Sequence, residues 1–165
     1  MSQLRARLLS DVGDIIAAMF KHVLLCYDGS RAGRSALKQG AELAVLVGAQ
    51  VHVLSIISTE VPDPVVLAGA AGHTCVIDRE GDYRKLLDES IEWLRVRGVS
   101  ATGYLTHGNT LEQIVAHAKR LAVDLIVVGL YPRASGGRWW SGPDRQSLAE
   151  RVNCAVFIAR DDTKH

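Results

Sequence analysis

Short apolar runs alternate along this chain with longer segments whose apolar residues recur at helical spacing, and that alternation leaves few folds open. Residues 22–27, 51–57, 100–106, 124–128 and 155–159 read as strands. The first is a continuous apolar run, as expected of a strand covered on both faces. Between the first two strands, Ala36, Leu37, Ala41, Leu43, Ala44 and Val47 fall close to helical spacing over residues 32–47, and Gly48 follows as a stop. A second helix is predicted over 78–97, with Tyr83, Leu86, Leu87, Ile91 and Leu94 on one face and Gly98 as its end. A third starts from a cap at Asn109 or Thr110 and runs to Arg120, and a short fourth covers about 144–151. Alternation of this kind predicts a parallel sheet with right-handed crossovers and helices on both faces. Ligands of such sheets bind beyond the carboxyl ends of the strands, where the strand order reverses. Asp28, the end of the second strand near Ile56, and the loop after Gly129 therefore converge on one crevice.

The remaining segments are less regular. Residues 58–77 hold Pro62, Pro64, Gly69 and Gly72 and read as a long loop. Residues 130–143 are rich in glycine and carry Arg133, Arg138, Trp139 and Trp140. Residues 1–19 read as a frayed extension. The alternative is one short amphipathic helix with Leu8, Leu9, Val12, Ile15 and Ile16 on a stripe. Residues 20–160 then form one domain, and 161–165 a frayed tail.

Charge and composition narrow the function. Nineteen Lys and Arg against eighteen Asp and Glu leave a net charge of +1. No basic field gathers nucleic acid or an acidic membrane surface, and no basic stripe with interleaved aromatics appears. No apolar run reaches membrane-spanning length, and Asp11 and Asp14 break the N-terminal stretch as a secretory signal. Cys26, Cys75 and Cys154 are odd in number and lack CxxC spacing, so they read as free thiols of a reducing cytoplasm. His52 and His117 have no partner at metal-ligand spacing and read as core or surface histidines. No GxSxG, no paired carboxylates and no Cys/His pair mark a catalytic set.

A buried strand followed by a glycine-rich loop and a helix start is a general recipe for cradling phosphate, although 129–143 matches neither a P-loop nor GxGxxG. The residues run Val128-Gly129, then Leu130-Tyr131-Pro132, nine more, and Gly142-Pro143, with Cys154-Ala155-Val156 twelve positions after Gly142. The front of the chain reads Val23-Leu24-Leu25-Cys26-Tyr27-Asp28-Gly29-Ser30, with Ser35-Ala36-Leu37 behind it. His107-Gly108-Asn109 with Ile114, and Asp124-Leu125-Ile126-Val127-Val128-Gly129, follow in order. As an ordered set over roughly residues 20 to 160, these pieces resemble the universal stress protein family. That family carries, after its fourth strand, Gly, two residues, Gly, nine residues, and Gly followed by Ser or Thr, then Cys-Pro-Val near the end.

The resemblance implies a single-domain three-layer α/β sandwich, Rossmann-like, with a five-stranded parallel sheet in the order 3-2-1-4-5. It implies an adenine-nucleotide site, for ATP or a related nucleotide. Asp28 and Ile56 would hold the adenosine part, and the backbone at Gly129 and Gly142 would approach phosphate oxygens. Arg133, Arg138 and Ser141 are further phosphate candidates, with solvated loop arginines as the alternative. Asp28 also serves simply to hold its turn, Ser30 to cap a helix, and Ile56 to fill the core. The family further implies a homodimer, often through the last strand, and an unidentified protein partner.

Two departures from the family pattern bear on the nucleotide site. Pro132 stands at the second motif glycine and Pro143 at the Ser/Thr position, and each proline lacks an amide donor. A hydrogen bond lost to a charged group costs roughly 1.5–3 kcal/mol. Two such losses carry a micromolar site, about −8.2 kcal/mol, to the millimolar range or beyond. Asp144 adds a carboxylate at the positive end of the last helix. The expected function is thus a stress-response module with a degenerate adenine-nucleotide site that acts by binding rather than turnover. A dimeric interaction protein without nucleotide is the alternative, and an ATP-hydrolysing enzyme the third reading.

Overall fold

The computed structural model describes residues 2–59, 79–129 and 142–160. Helix α1 (Ser2–Met19) leads into strand β1 (His22–Cys26), followed by α2 (Arg31–Val47) and β2 (Gln50–Ser58). Helix α3 (Arg79–Val96), β3 (Ala101–Gly108), α4 (Thr110–Arg120) and β4 (Leu125–Gly129) come next. Helix α5 (Gly142–Arg151) and β5 (Ala155–Ala159) complete the order. The sheet is parallel throughout and ordered β3-β2-β1-β4-β5, as expected.

Three expectations are corrected. The frayed reading of residues 1–19 gives way to helix α1, whose apolar stripe and freedom from proline permit eighteen continuous helical residues. Strand β3 runs to Gly108, past the expected end at 106, because β2 extends alongside it and pairs Ser58 with Gly108. Helix α5 begins at Gly142, two residues before the expected start, with Pro143 in its first turn. Proline fits there, since its ring presets φ and its missing N–H has no helical partner to lose.

Strand β1 is the centre of the molecule. Leu24 pairs with His52 on one side and Ile126 on the other. Its odd residues Val23 and Leu25 face α2 and α3, joined by Val51, Val53, Val127 and Leu94. Its even residues Leu24 and Cys26 face α4 and α5, joined by Leu54, Ile114, Ile126 and Leu148. Burial on both faces explains why the run carries no polar alternation. Asp124 ties the amino ends of the central strands together. Its carboxylate accepts from Lys21 N–H at 2.7 Å and His22 N–H at 2.9 Å, and its carbonyl accepts from Ala155 N–H at 3.1 Å.

Helix α2 presents small residues to the sheet, with Ala32, Gly33, Ala36, Gly40, Ala41 and Ala44 all buried. A Cβ on Gly40 would run into the Leu25 side chain, so glycine lets this helix settle against β1. Ser30 caps its start by accepting from Gly33 N–H, and Gly48, at φ 66°, ends it in the left-handed conformation.

The histidines are placed by this register. His52 is buried at 6% exposure and His117 is half-buried. A line of rings runs across the α4 side of the sheet. His22 Nδ1 lies 3.4 Å from His52 Nε2, and Tyr104 Oη lies 3.4 Å from His52 Nδ1. His117 meets Tyr104 edge-on, with ring centres 6.0 Å apart, and Arg120 lies 5.0 Å over the Tyr104 ring. Burial first, then His22 and Arg120, push the His52 imidazole below its ordinary value, so the folded state keeps it neutral. The unfolded chain takes up a proton below about pH 6.5 that the folded chain resists. The contribution of His52 is therefore whole above that pH and is lost as pH falls toward the depressed folded value. Thermal melts should show Tm declining from about pH 7 toward pH 5.5, and His52→Gln should flatten that slope; an unchanged slope in the variant would remove His52 as its source.

Candidate functional site

The crevice forms where the strand order reverses. Strand β2 continues the sheet to one side of β1 and β4 to the other, so the turns after β1 and β4 open onto a common edge. The register pairs Leu25 with Val127, so β1 and β4 end within two residues of that pair, at Cys26 and Gly129. Asp28 and Gly129 thus share the carboxyl end of the sheet. On the other side β1 pairs with β2 as far as Cys26 and Leu54, so Asp28, two residues past the end of β1, follows at the level of the sheet where β2 continues to Ile56.

Asp28 is half-buried, and its carboxylate organises the start of α2. Asp28 Oδ1 accepts from Ser30 N–H at 3.0 Å and from Ser30 Oγ–H at 2.5 Å. Ser30 Oγ in turn accepts from Gly33 N–H at 3.0 Å. One carboxylate therefore orients the hydroxyl that caps the helix, which is the turn-holding role foreseen for Asp28 and the capping role foreseen for Ser30. The cap also aims the positive end of α2 into the crevice.

Ile56 is fully buried among Leu24, Leu54 and Ile114, so its side chain belongs to the core. A ligand at this position would meet the β2 backbone rather than the isoleucine side chain. Beside it, Ser55 Oγ donates to the Tyr27 carbonyl at 2.7 Å and locks the ends of β1 and β2 together. Gly129 is also buried, and a Cβ there would collide with the Ala32 carbonyl. Its lack of a side chain thus has a packing cause, the close approach of the α2 start to the end of β4.

Gly142 is the first residue of α5. Chain direction brings that helix start back to the same sheet edge, since α5 leads down to the start of β5. Leu148, with no exposed surface, fixes α5 on the sheet. Arg133, Arg138 and Ser141 lie outside the described residues, as do Pro132, Trp139 and Trp140, and nothing is described of the Pro143 and Asp144 side chains. The structure thus brings Asp28, Ile56, Gly129 and Gly142 to one edge. Among the described residues, no group of three or more His, Cys, Asp or Glu is arranged to hold a metal ion.

Sequence reasoning missed two supports of this site, Gly33 and Ser55. Gly33 lies under the Asp28 carboxylate, and a Cβ there would come 2.5 Å from Asp28 Oδ1 and 3.2 Å from Ser30 Oγ. The glycine three residues after a capping serine was the available signal. The cysteines are free where described: Cys26 is buried, and its thiol is pushed up by burial and then by Asp28. Cys154 is half-buried and shifted the same way by burial and Asp124, while Cys75 lies outside the described residues.

Gly33 offers a direct test of this geometry. Glycine to alanine inside a helix ordinarily gains about 1 kcal/mol, and Gly13→Ala, whose Cβ meets open space, should gain it. Gly33→Ala should instead lose about 1–2 kcal/mol by displacing the cap, read as a lower denaturation midpoint; a rise matching that of Gly13→Ala would show the Asp28 carboxylate held elsewhere.

Comparison with known proteins accords with this geometry. Among solved structures, a universal stress protein family member from Burkholderia pseudomallei superposes with TM-score 0.61 at 22% identity, over 85% of this chain and 96% of that one. UspA from Lactobacillus plantarum gives 0.68 at 17% identity, over 86% and 98%. A universal stress protein family protein from Arabidopsis thaliana, solved with AMP bound, gives 0.59 at 15% identity, over 87% and 93%. Others of this set are complexes with cAMP and with dAMP. Among curated proteins no match is found. At these identities the superpositions establish the fold, and the sequence match to the family model establishes membership. With residues 19–160 matched, the chain belongs to the universal stress protein family.

Proposed function

We propose that this protein is a stress-response module that binds an adenine nucleotide in the β1–β4 crevice and acts by binding rather than by turnover. The observation that carries the reading is the meeting of Asp28, the β2 end at Ile56 and Gly129 at the strand-order reversal. Structures of the same fold bound to AMP, cAMP and dAMP support the ligand class. The adenosine end of the site is the better preserved, because Asp28 and the β2 backbone are in place. The phosphate end is depleted, because Pro132 and Pro143 carry no amide donor. Phosphate beyond the first therefore adds little, and the family of accepted ligands is set by adenosine. The β5 edge supports a homodimer, since Phe157 and Ile158 are 41% and 40% exposed on a strand with one side unpaired among the described residues. A cytoplasmic setting fits the free thiols.

Pro132, Pro143 and Asp144 also favour a second reading, a dimeric interaction protein that takes no nucleotide. Calorimetric titration separates the two. AMP and magnesium ATP should bind weakly, with dissociation constants of about 0.1–1 mM, near −5.5 to −4.1 kcal/mol, and within about tenfold of one another. Asp28→Ala should weaken both at least tenfold while its circular dichroism stays that of a folded α/β protein. Silence at millimolar nucleotide would leave the second reading standing, and phosphate release abolished by Asp28→Ala would replace both with an enzyme.

A further inference from the structure

Helix α1 lies ahead of the family match, which begins at its last residue, Met19. It touches the body of the protein through Ala17, with Phe20 just beyond it, and leaves its large apolar residues in water. Leu8, Leu9, Val12, Ile15 and Met19 are 51–67% exposed, and Ile16 is 38% exposed. Together they offer on the order of 600 Å² of apolar surface, at the upper limit of what a monomer leaves uncovered. On the adjoining helix α2, Val45 and Leu46 are exposed as well. Leu8, Val12, Ile15 and Met19 are spaced by four, three and four residues, the step of a seam that packs knobs into holes against another helix. Leu9 and Ile16, seven apart, flank that seam on one side.

We infer that α1 docks against α1 of a second copy of this chain as an antiparallel helix pair. The seam meets itself in that orientation, Leu8 layering on Met19 of the partner and Val12 on Ile15 of the partner. Leu9 then lies beside Ile16 of the partner. Charge selects the direction. Arg5 and Arg7 occupy the first half of α1, and Asp11 and Asp14 the second. Antiparallel pairing in this register opposes the two helix dipoles and carries Arg5 and Arg7 of the two copies to opposite ends, with the aspartates near the centre, whereas parallel pairing aligns the dipoles and sets every charge against its own copy. The two copies together bury about 1,200 Å², the lower bound of specific interfaces, so the association is reversible. It uses a surface separate from the β5 edge.

Sedimentation equilibrium of the full chain tests the pairing. Leu8→Glu/Ile15→Glu, which changes only exposed positions, should halve the mass seen for the unaltered chain, and Gly13→Ala should tighten association about fivefold by favouring the helix. Cysteine cross-linking fixes the orientation. Leu8→Cys alone places the two thiols about 16 Å apart along the helix axis and should stay unlinked under mild oxidation. Leu8→Cys with Met19→Cys should form a reducible dimer, and Phe157→Asp on the β5 edge should leave that product intact. A mass unchanged by the glutamates, linking by Leu8→Cys alone, or binding of the monomer to phospholipid vesicles through the same residues would each overturn the inference.

Discussion

Helix α2 packs close against the sheet, and the positions of the residues around the crevice follow from that approach. Ordinary side chains on its inner face would hold it away from β1 and β4. Alanines and glycines let it down instead, with Gly40 against Leu25 and the Ala32 carbonyl against Gly129. At that depth its first turn reaches the end of β1, where Asp28 and Ser30 satisfy amide groups that would otherwise be orphaned. The same carboxylate is thus both a fold-stabilising cap and a rim of the crevice. Gly33 is the third element of this contact, since any side chain there would dislodge the Asp28 carboxylate.

This coupling changes how the site residues are understood. A residue at a motif position looks like a ligand contact, yet its first physical duty here is to let two backbones meet. Gly129 shows this plainly: its missing Cβ makes room for α2, and the same opening leaves its backbone near the crevice. Ile56 shows the converse, with a buried side chain at a position whose backbone borders the site. In the proposed site, binding would therefore rest on strand ends and helix starts, which the core holds, more than on side chains reaching out.

Much of this was legible in the residue order because the strands are buried on both faces. Unbroken apolar runs such as 22–27 have one interpretation in a chain of alternating elements. The adjacency of Asp28 and Gly129 followed from strand order, which the motif set implied. Element ends were less legible: Gly142 and Pro143 read as loop residues, although proline is well suited to a first helical turn. The ring line His22, His52, Tyr104 and His117 was illegible, because it depends on the register of three strands and a helix far apart in sequence. Helix α1 was hard to read for a different reason. Its stripe faces water in the single chain, so no burial confirms what its periodicity proposes.

The two ends that bracket residues 130–141 are each held by contacts within the described residues. Gly129 is wedged under α2, and α5 is pinned by Leu148 in the opposite layer. The segment joining them runs between two anchored points. Within such a scaffold, ligand preference could drift at positions between the anchors while the anchors keep the architecture, although Gly129 belongs to both the proposed site and the packing. A lineage could trade a glycine for a proline there and retain the whole protein.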